Sequence, residues 1–345
     1  KIATNGYPGA VHLSGPVDIM FSSFAEDAGL EERPFSHQIK SIAKAWPDPI
    51  LMAEVLELAS KSKKPILDLE GPYDLADMKA LLKNDIEFVI HSSRQLNFLK
   101  QIKKFKESHP IWLKFDSGMN RLGFSIEDSS IIFEEVSKKT NQIVLMSHFY
   151  SFKGNAIQLK KFKDLEKRCS SDEIFVKKSL CNSGGMINYP ASQKDIVRPG
   201  ISMFGSRSNL KDKNIKLESV MTLKSKFISL KEIEKGEKVG YEGTWQAKKR
   251  PKIGILPVGY GDGYPINLSN CGKVLIKGKL APVIGKVSMD MVAIDLSNIS
   301  KISYKDEVIL WGKGHEVDTV AKYANNSSYT LMTGITNRVK KVYKL

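Results

Sequence analysis

At 345 residues, 41% of them hydrophobic and 26% charged, the chain can hold two domains with substantial cores and has an ordinary globular composition. Its 53 Lys+Arg against 38 Asp+Glu give a formal net charge of +15. The lysines are spread along helical stretches such as 100–106 and 160–167 without interleaved aromatics, which argues against a nucleic-acid binder and for solvated helix faces. No apolar run is long enough to span a membrane, the first residues lack an apolar signal core, and Cys169, Cys181 and Cys271 have no metal-like or redox-like spacing. A cytoplasmic protein with reduced thiols and no metal site is the expectation.

From about Pro49 to Gly205 short apolar runs alternate with amphipathic stretches. Strands are predicted at Pro65–Leu69, Glu87–Ile90, Ile111–Phe115, Gln142–Ser147, Ile174–Leu180 and Ile196–Phe204. Helices are predicted at Tyr73–Lys83, Gln95–Lys106, Ser129–Lys138 and Gln158–Lys167. Alternation of this kind implies parallel strands joined by crossovers, hence an α/β sheet or barrel. The count approaches eight if two more strands lie in the first 55 residues. The polar stretch Ser206–Lys216 reads as a linker. Beyond it come β segments at Val220–Leu230, Pro251–Pro257, Gly272–Ile276, Pro282–Val287, Val292–Leu296 and Glu307–Trp311, with one helix near Thr319–Ala324. That pattern reads as a separate, mostly antiparallel β domain.

Several strand ends carry chemistry. Trp112 to Phe124 runs from a buried strand into a loop that holds the cation Arg121 between glycines, then into an apolar helix start. Barrel enzymes place reactive groups this way, although Asp116-Ser117-Gly118 could also be a plain turn. Leu180-Cys181-Asn182-Ser183-Gly184-Gly185 opens a strand end into a small-residue loop. Exposed N–H groups and a hydroxyl there can hold a phosphate, and an ordinary turn is the competing reading. The next strand ends Ile196-Val197-Arg198-Pro199-Gly200-Ile201, again a glycine beside a cation. Two adjacent late strands with such loops point to a phosphorylated cofactor.

These segments resemble motifs of the alanine racemase family. Lys114-Phe115-Asp116-Ser117-Gly118-Met119-Asn120-Arg121-Leu122-Gly123 is similar to K-x-D-T-G-M-x-R-L-G. Val197-Arg198-Pro199-Gly200-Ile201, the Tyr241 segment, Leu256–Pro265, Gly285–Met291 and Thr336–Tyr343 follow in the family's order. The resemblance covers roughly residues 50–345. It implies a fold-type III enzyme that uses pyridoxal 5′-phosphate (PLP), with a (β/α)8 TIM-type barrel at 1–210 and a C-terminal β domain at 211–345. It also implies a head-to-tail homodimer with active sites shared between subunits, and a two-base interconversion of L- and D-alanine that supplies peptidoglycan. A broad-specificity or serine racemase is the nearest alternative.

The resemblance implies the residue roles as well. Tyr241 is the base supplied by the partner subunit, and His148 lies close to that machinery. A phenol has a pKa of about 10 in water, so a tyrosine base needs help from its surroundings. Arg198 contacts the cofactor's ring nitrogen and, being a permanent cation, cannot protonate it. Asn182, Ser183, Gly200 and Ile201 surround the phosphate. Arg121 and the Met289 backbone take the substrate carboxylate, and Tyr260 and Lys286 flank the substrate's access route. Lys114 matches a lysine that many members carbamylate. The family's PLP-bearing lysine has no counterpart here: the best register places Phe24 at its position and Ala28 at that of a phosphate-binding tyrosine. Residues 1–48 depart from the pattern, and a catalytically inactive PLP-binding homologue is therefore a further alternative.

Overall fold

The computed structural model describes residues 11–12, 65–151, 155–211 and 215–342. They form two compact units. One contains the described residues up to Gly200 with 209–211, and the other contains Ile201–Ser208 with residues 215 onward.

The first unit is a parallel sheet of β1 (Val11–His12), β2 (Ile66–Asp68), β3 (Glu87–Ile90), β4 (Ile111–Lys114), β5 (Gln142–Met146), β6 (Phe175–Asn182) and β7 (Ile196–Arg198). The strands lie side by side in sequence order, as in the wall of a (β/α)8 barrel. Four helices cross between them: α1 (Leu75–Lys83), α2 (Ser93–Gln101), α3 (Ser129–Ser137) and α4 (Ala156–Arg168). Asp74 caps α1 by accepting from the Asp77 N–H at 2.8 Å, and Ser92 caps α2 by accepting from the Gln95 N–H.

Strand periodicity divides the side chains of this sheet into two layers. Phe88, Ile90, Ile111, Leu113, Ile143 and Leu145 pack with Met78, Leu99 and Phe162 under the helices. The alternate residues Leu67, Val89, Trp112, Val144 and Met146 form a smaller cluster on the opposite face. Each fully buried side chain of this kind contributes roughly 1.5–3 kcal/mol. Lys114 shares the parity of Trp112, so the pleat that buries the tryptophan also turns this lysine onto the smaller cluster's face.

The predicted strand Ile196–Phe204 stops at Arg198 and is followed by a 3-10 turn, Ile201–Phe204. Pro199 has no N–H to continue the ladder. Helix α2 begins two residues before its predicted start and ends at Gln101 instead of Lys106.

The second unit is a seven-stranded antiparallel sheet. Its strands are β8 (Leu223–Lys226), β9 (Ser229–Glu232), β12 (Lys252–Leu256), β13 (Lys273–Ile276), β14 (Lys279–Ile284), β15 (Val292–Asp295) and β16 (Glu307–Trp311). The order is β8-β16-β13-β14-β15-β12-β9, with β10 (Lys238–Val239) and β11 (Trp245–Gln246) forming a small hairpin. The single segment expected at Val220–Leu230 is split, so that β8 and β9 occupy opposite edges of the sheet. A second short helix of the unit, unpredicted, accompanies the expected one: α6 is Val317–Tyr323 and α7 is Ser328–Thr333, while α5 (Ser183–Asn188) belongs to the first unit. The expected linker is anchored: Ser206 is fully buried, its hydroxyl donating to Asp318 on α6.

Candidate functional site

The groups expected to act are gathered at the C-terminal ends of the parallel strands, where barrel sites form. Lys114 ends β4, His148 follows β5, Asn182 ends β6 and Arg198 ends β7. Arg198 is the hub. One of its terminal nitrogens donates to the Ser179 hydroxyl, and the other to the carbonyls of Ser147 at 2.5 Å and Leu180 at 3.4 Å. The second nitrogen also lies 3.3 Å from His148 Nδ1. Its Nε is buried and has no hydrogen-bond partner among the described residues. Burial lowers the guanidinium pKa to about 10, which still leaves it a cation at neutral pH.

Asn182 caps α5 by accepting from the Gly185 N–H at 3.0 Å, while its amide nitrogen donates to the Phe149 carbonyl and faces His148 Nε2 at 3.3 Å. Ser183 is buried and accepts from the Gly200 N–H at 2.7 Å, tying the α5 start to the end of β7. Gly185 is required by packing, since a Cβ there would lie 2.6 Å from the Phe149 ring. The result is a cluster of N–H groups and a hydroxyl on small residues beside a half-buried cation, an arrangement that suits an anion.

The Arg121 loop is braced by its own backbone. The Asp116 carboxylate accepts from the N–H groups of Gly118 and Met119 at 2.7 and 2.8 Å, and Asp116 N–H donates to the Phe124 carbonyl. Gly123, at φ 135°, lies where a Cβ would be 2.6 Å from the Asp116 nitrogen, so only glycine closes this loop. Arg121 itself is exposed. Lys114 is only 5% exposed, and burial together with the positive charges of Arg121 and Arg198 lowers its pKa to about 8.

Sequence reasoning missed the other side of this mouth. Glu70, Gly71, Tyr73, His91, Arg94 and Arg121 line a cleft of about 330 Å³. The Tyr73 hydroxyl donates to Glu70 at 2.6 Å, and His91 Nε2 is 3.0 Å from the Glu70 carbonyl. The nearby Asp68 carboxylate accepts from the Gly71 N–H at 3.3 Å, and burial raises its pKa to about 6. The available signal was positional: Asp68 ends β2 and His91 directly follows β3. Gln158 was missed too; on α4, it donates to Ser117 at 3.1 Å and to the His148 carbonyl at 3.0 Å.

The second unit brings together Tyr241, Tyr260, Lys286 and Met289. Gly259 and Tyr260 lie against the strand-end loop at Ser288, with Tyr260 N–H donating to the Ser288 carbonyl and Gly261 N–H to that of Met289. A Cβ on Gly259 would sit 2.2 Å from the Ser288 oxygen, so the close approach of these two loops depends on that glycine. Lys286 Nζ pairs with Glu242 at 2.7 Å, next to Tyr241 in the chain. Tyr241 is 70% exposed, Met289 51% and Tyr260 44%. Phe24 and Ala28 lie outside the described residues.

Among the described residues no group of three or more His, Cys, Asp or Glu could hold a metal, and no helix is long and apolar enough to cross a membrane. Cys169, Cys181 and Cys271 are free thiols.

A parallel barrel sheet with an anion-suited mouth, followed by an antiparallel domain with an exposed tyrosine loop, defines a two-domain barrel enzyme. Family models for the alanine racemase N-terminal and C-terminal domains match residues 50–208 and 220–343. Among curated relatives, alanine racemase of Actinobacillus succinogenes is 38% identical over 300 residues, covering 84% of this chain and 82% of that protein. The crystal structure of biosynthetic alanine racemase from Pseudomonas aeruginosa matches with a TM-score of 0.78 at 28% identity, covering 98% of this chain and 92% of that one. The Bartonella henselae alanine racemase, crystallised with covalently bound pyridoxal phosphate, shares the fold with a TM-score of 0.78 at 22% identity, over 99% of this chain and 94% of that one. The chain belongs to the alanine racemase family.

Proposed function

We propose that this chain interconverts L- and D-alanine with pyridoxal 5′-phosphate as cofactor, acting in the cytoplasm as a homodimer and supplying D-alanine for peptidoglycan. Residues 1–210 serve as the cofactor-binding barrel, and residues 211–345 supply the second cluster. The observation that carries this reading is Arg198, a half-buried cation at a barrel mouth whose buried Nε lacks a partner among the described residues. An orphaned donor there fits an unprotonated ring nitrogen, and the Ser183 hydroxyl with the N–H groups of Gly200 and Ile201, beside Asn182, fits a phosphate.

When bound, PLP supplies the electron sink that makes a negative charge at the substrate Cα tolerable. Arg198, a permanent cation, would donate to the ring nitrogen without surrendering a proton, which would limit that sink and restrain side reactions. Arg121 and the Met289 N–H hold the substrate carboxylate, and Tyr260 and Lys286 border the access route. Tyr241 takes or returns the Cα proton on one face, with His148 supporting the proton's passage. Lys114, partly unprotonated near pH 8, has the free amine that carbamylation requires, and the resulting anion would orient Arg121. The exposure of Tyr241, Tyr260 and Met289 supports a site completed by a second copy of the chain.

The other face needs a second base. The family uses its PLP-bearing lysine there, and this sequence has Phe24 at the aligned position. Phenylalanine cannot make that covalent link, which favours an inactive PLP-binding homologue as the second reading. Incubation with PLP, borohydride reduction and peptide mapping by mass spectrometry decides between them. One labelled lysine supports the racemase and identifies the base. No labelled lysine, with Phe24 confirmed by its peptide, leaves a binder built on the same fold.

A further inference from the structure

We infer that Gln158, in the first turn of α4, is a positioning residue that holds the His148 loop and the Arg121 loop in register with each other. The inference rests on the roles proposed above for those two residues. Gln158 is buried, and every group it bonds lies in the first unit. Its Oε1 accepts from the Tyr150 N–H at 3.2 Å, while Nε2 donates to the His148 carbonyl at 3.0 Å and to the Ser117 hydroxyl at 3.1 Å. Both amide protons are thereby used. The orientation of the amide is fixed as well, because an N–H faces its oxygen and a carbonyl faces its nitrogen. The side chain thus pairs with the backbone on either side of Phe149 much as a neighbouring strand would.

The two loops it joins carry reactive groups of the barrel mouth. On one side, Ser117 sits inside the turn that the Asp116 carboxylate closes onto the N–H groups of Gly118 and Met119, and the same loop presents Arg121. The Ser117 hydroxyl also lies 2.7 Å from that of Ser147, and both serines are buried. On the other side, His148 Nδ1 faces Arg198 and Nε2 faces Asn182, each at 3.3 Å. Contacts at the long end of the hydrogen-bond range are lost when the backbone carrying the ring shifts slightly. Arg198 and Asn182 hold that backbone through the carbonyls of Ser147 and Phe149, and Gln158 holds it from α4. The helix is itself anchored in the core by Phe162 and Leu165, so the amide is presented from a rigid element. Buried and with its amide engaged, Gln158 acts through the two backbones and leaves the chemistry to Arg121 and His148.

The test joins two readouts on the purified full chain. Ring resonances of His148, from protein labelled with nitrogen-15 histidine and identified by their loss in His148→Gln, report its surroundings without cofactor or substrate. KM and kcat for L-alanine in the PLP-loaded protein report the two loops at work. Gln158→Met keeps the side-chain length and loses all three hydrogen bonds. It is expected to shift the His148 resonances, raise KM about tenfold and lower kcat about tenfold. Gln158→Glu can still accept from Tyr150 but sets an oxygen against the His148 carbonyl, and should act in the same direction. Ser117→Ala removes the link to the Arg121 loop and leaves the bonds to His148 and Tyr150. It should raise KM by a smaller factor with the His148 resonances unmoved, and a wild-type KM there overturns the inference even if the Gln158 variants do not fold. Gln101→Ala, which removes an exposed bond within its own helix, should change neither readout. A lowered melting temperature with wild-type resonances and kinetics in the Gln158 variants overturns the inference while the racemase reading stands. If the wild-type chain does not racemise, that reading falls, and His148 resonances unmoved by Gln158→Met then overturn the positioning role separately.

Discussion

The two clusters are built on opposite principles. In the barrel, charged groups are drawn away from water: Lys114 is buried and Arg198 half-buried, and both have lowered pKa values for that reason. In the β domain the corresponding groups stay in solvent. Tyr241 and Tyr260 project from 3-10 turns held by backbone hydrogen bonds and tight glycine contacts. Burial tunes charge in the first cluster, whereas backbone geometry aims exposed side chains in the second.

The comparison breaks most sharply at Tyr241. Tyr241→Phe removes the hydroxyl without disturbing a buried contact, and should lower racemisation about 10²–10⁴-fold while leaving PLP affinity unchanged. Loss of optical rotation from L-alanine reads this directly, and near-native turnover would remove the second cluster from the chemistry. Arg121→Lys exchanges a planar fork for a point charge, so KM for alanine should rise roughly ten- to a hundredfold with less effect on kcat. An unchanged KM would assign the substrate carboxylate elsewhere.

Gly259→Ala tests whether backbone approach aims the second cluster. The added Cβ meets the carbonyls of Ser288 and Met289, and the strain should cost about 1–3 kcal/mol in denaturant unfolding. A melting curve matching the wild type would mean that the loops give way easily.

Burial in the first cluster makes a pH-dependent prediction. Lys114 has a folded pKa of about 8 against an ordinary 10.5. Between those values the unfolded chain binds the proton that the folded chain has shed, so wild-type stability rises with pH there and gains nothing from this group below pH 8. Lys114→Met removes that slope. Urea midpoints in bicarbonate-free buffer should therefore show the variant's relative advantage shrinking from pH 8 upward. The smallest effect belongs to Glu242→Gln, which breaks an exposed pair with Lys286 and should change unfolding by less than about 1 kcal/mol.

Much of this was legible from residue order. Glu87–Ile90 and Glu307–Trp311 were read with the bounds the structure has, because continuous apolar runs ended by turn residues mark buried strands. The loop at Asn182–Gly185 was legible as a strand end because small polar residues follow an apolar run there. The Glu70–His91 cleft was not, since its members lie twenty residues apart and nothing local marks a polar residue as facing a common mouth. Asp318 was equally silent: an acidic residue in a first helical turn is ordinary, and its partners Ser206 and Ser328 come from distant stretches of chain.

The sequence by itself determined the alternation of strands and helices, the change to β texture after Gly205, and the family. These follow from local periodicity and from contiguous motifs. Only the tertiary structure decided that Lys114 is buried within reach of the charges of Arg121 and Arg198, that Tyr241 stands in solvent, and that the polar stretch after Gly205 is anchored to α6. Burial and hydrogen bonding depend on which distant residues the fold brings within a few ångströms, and no local pattern carries that information.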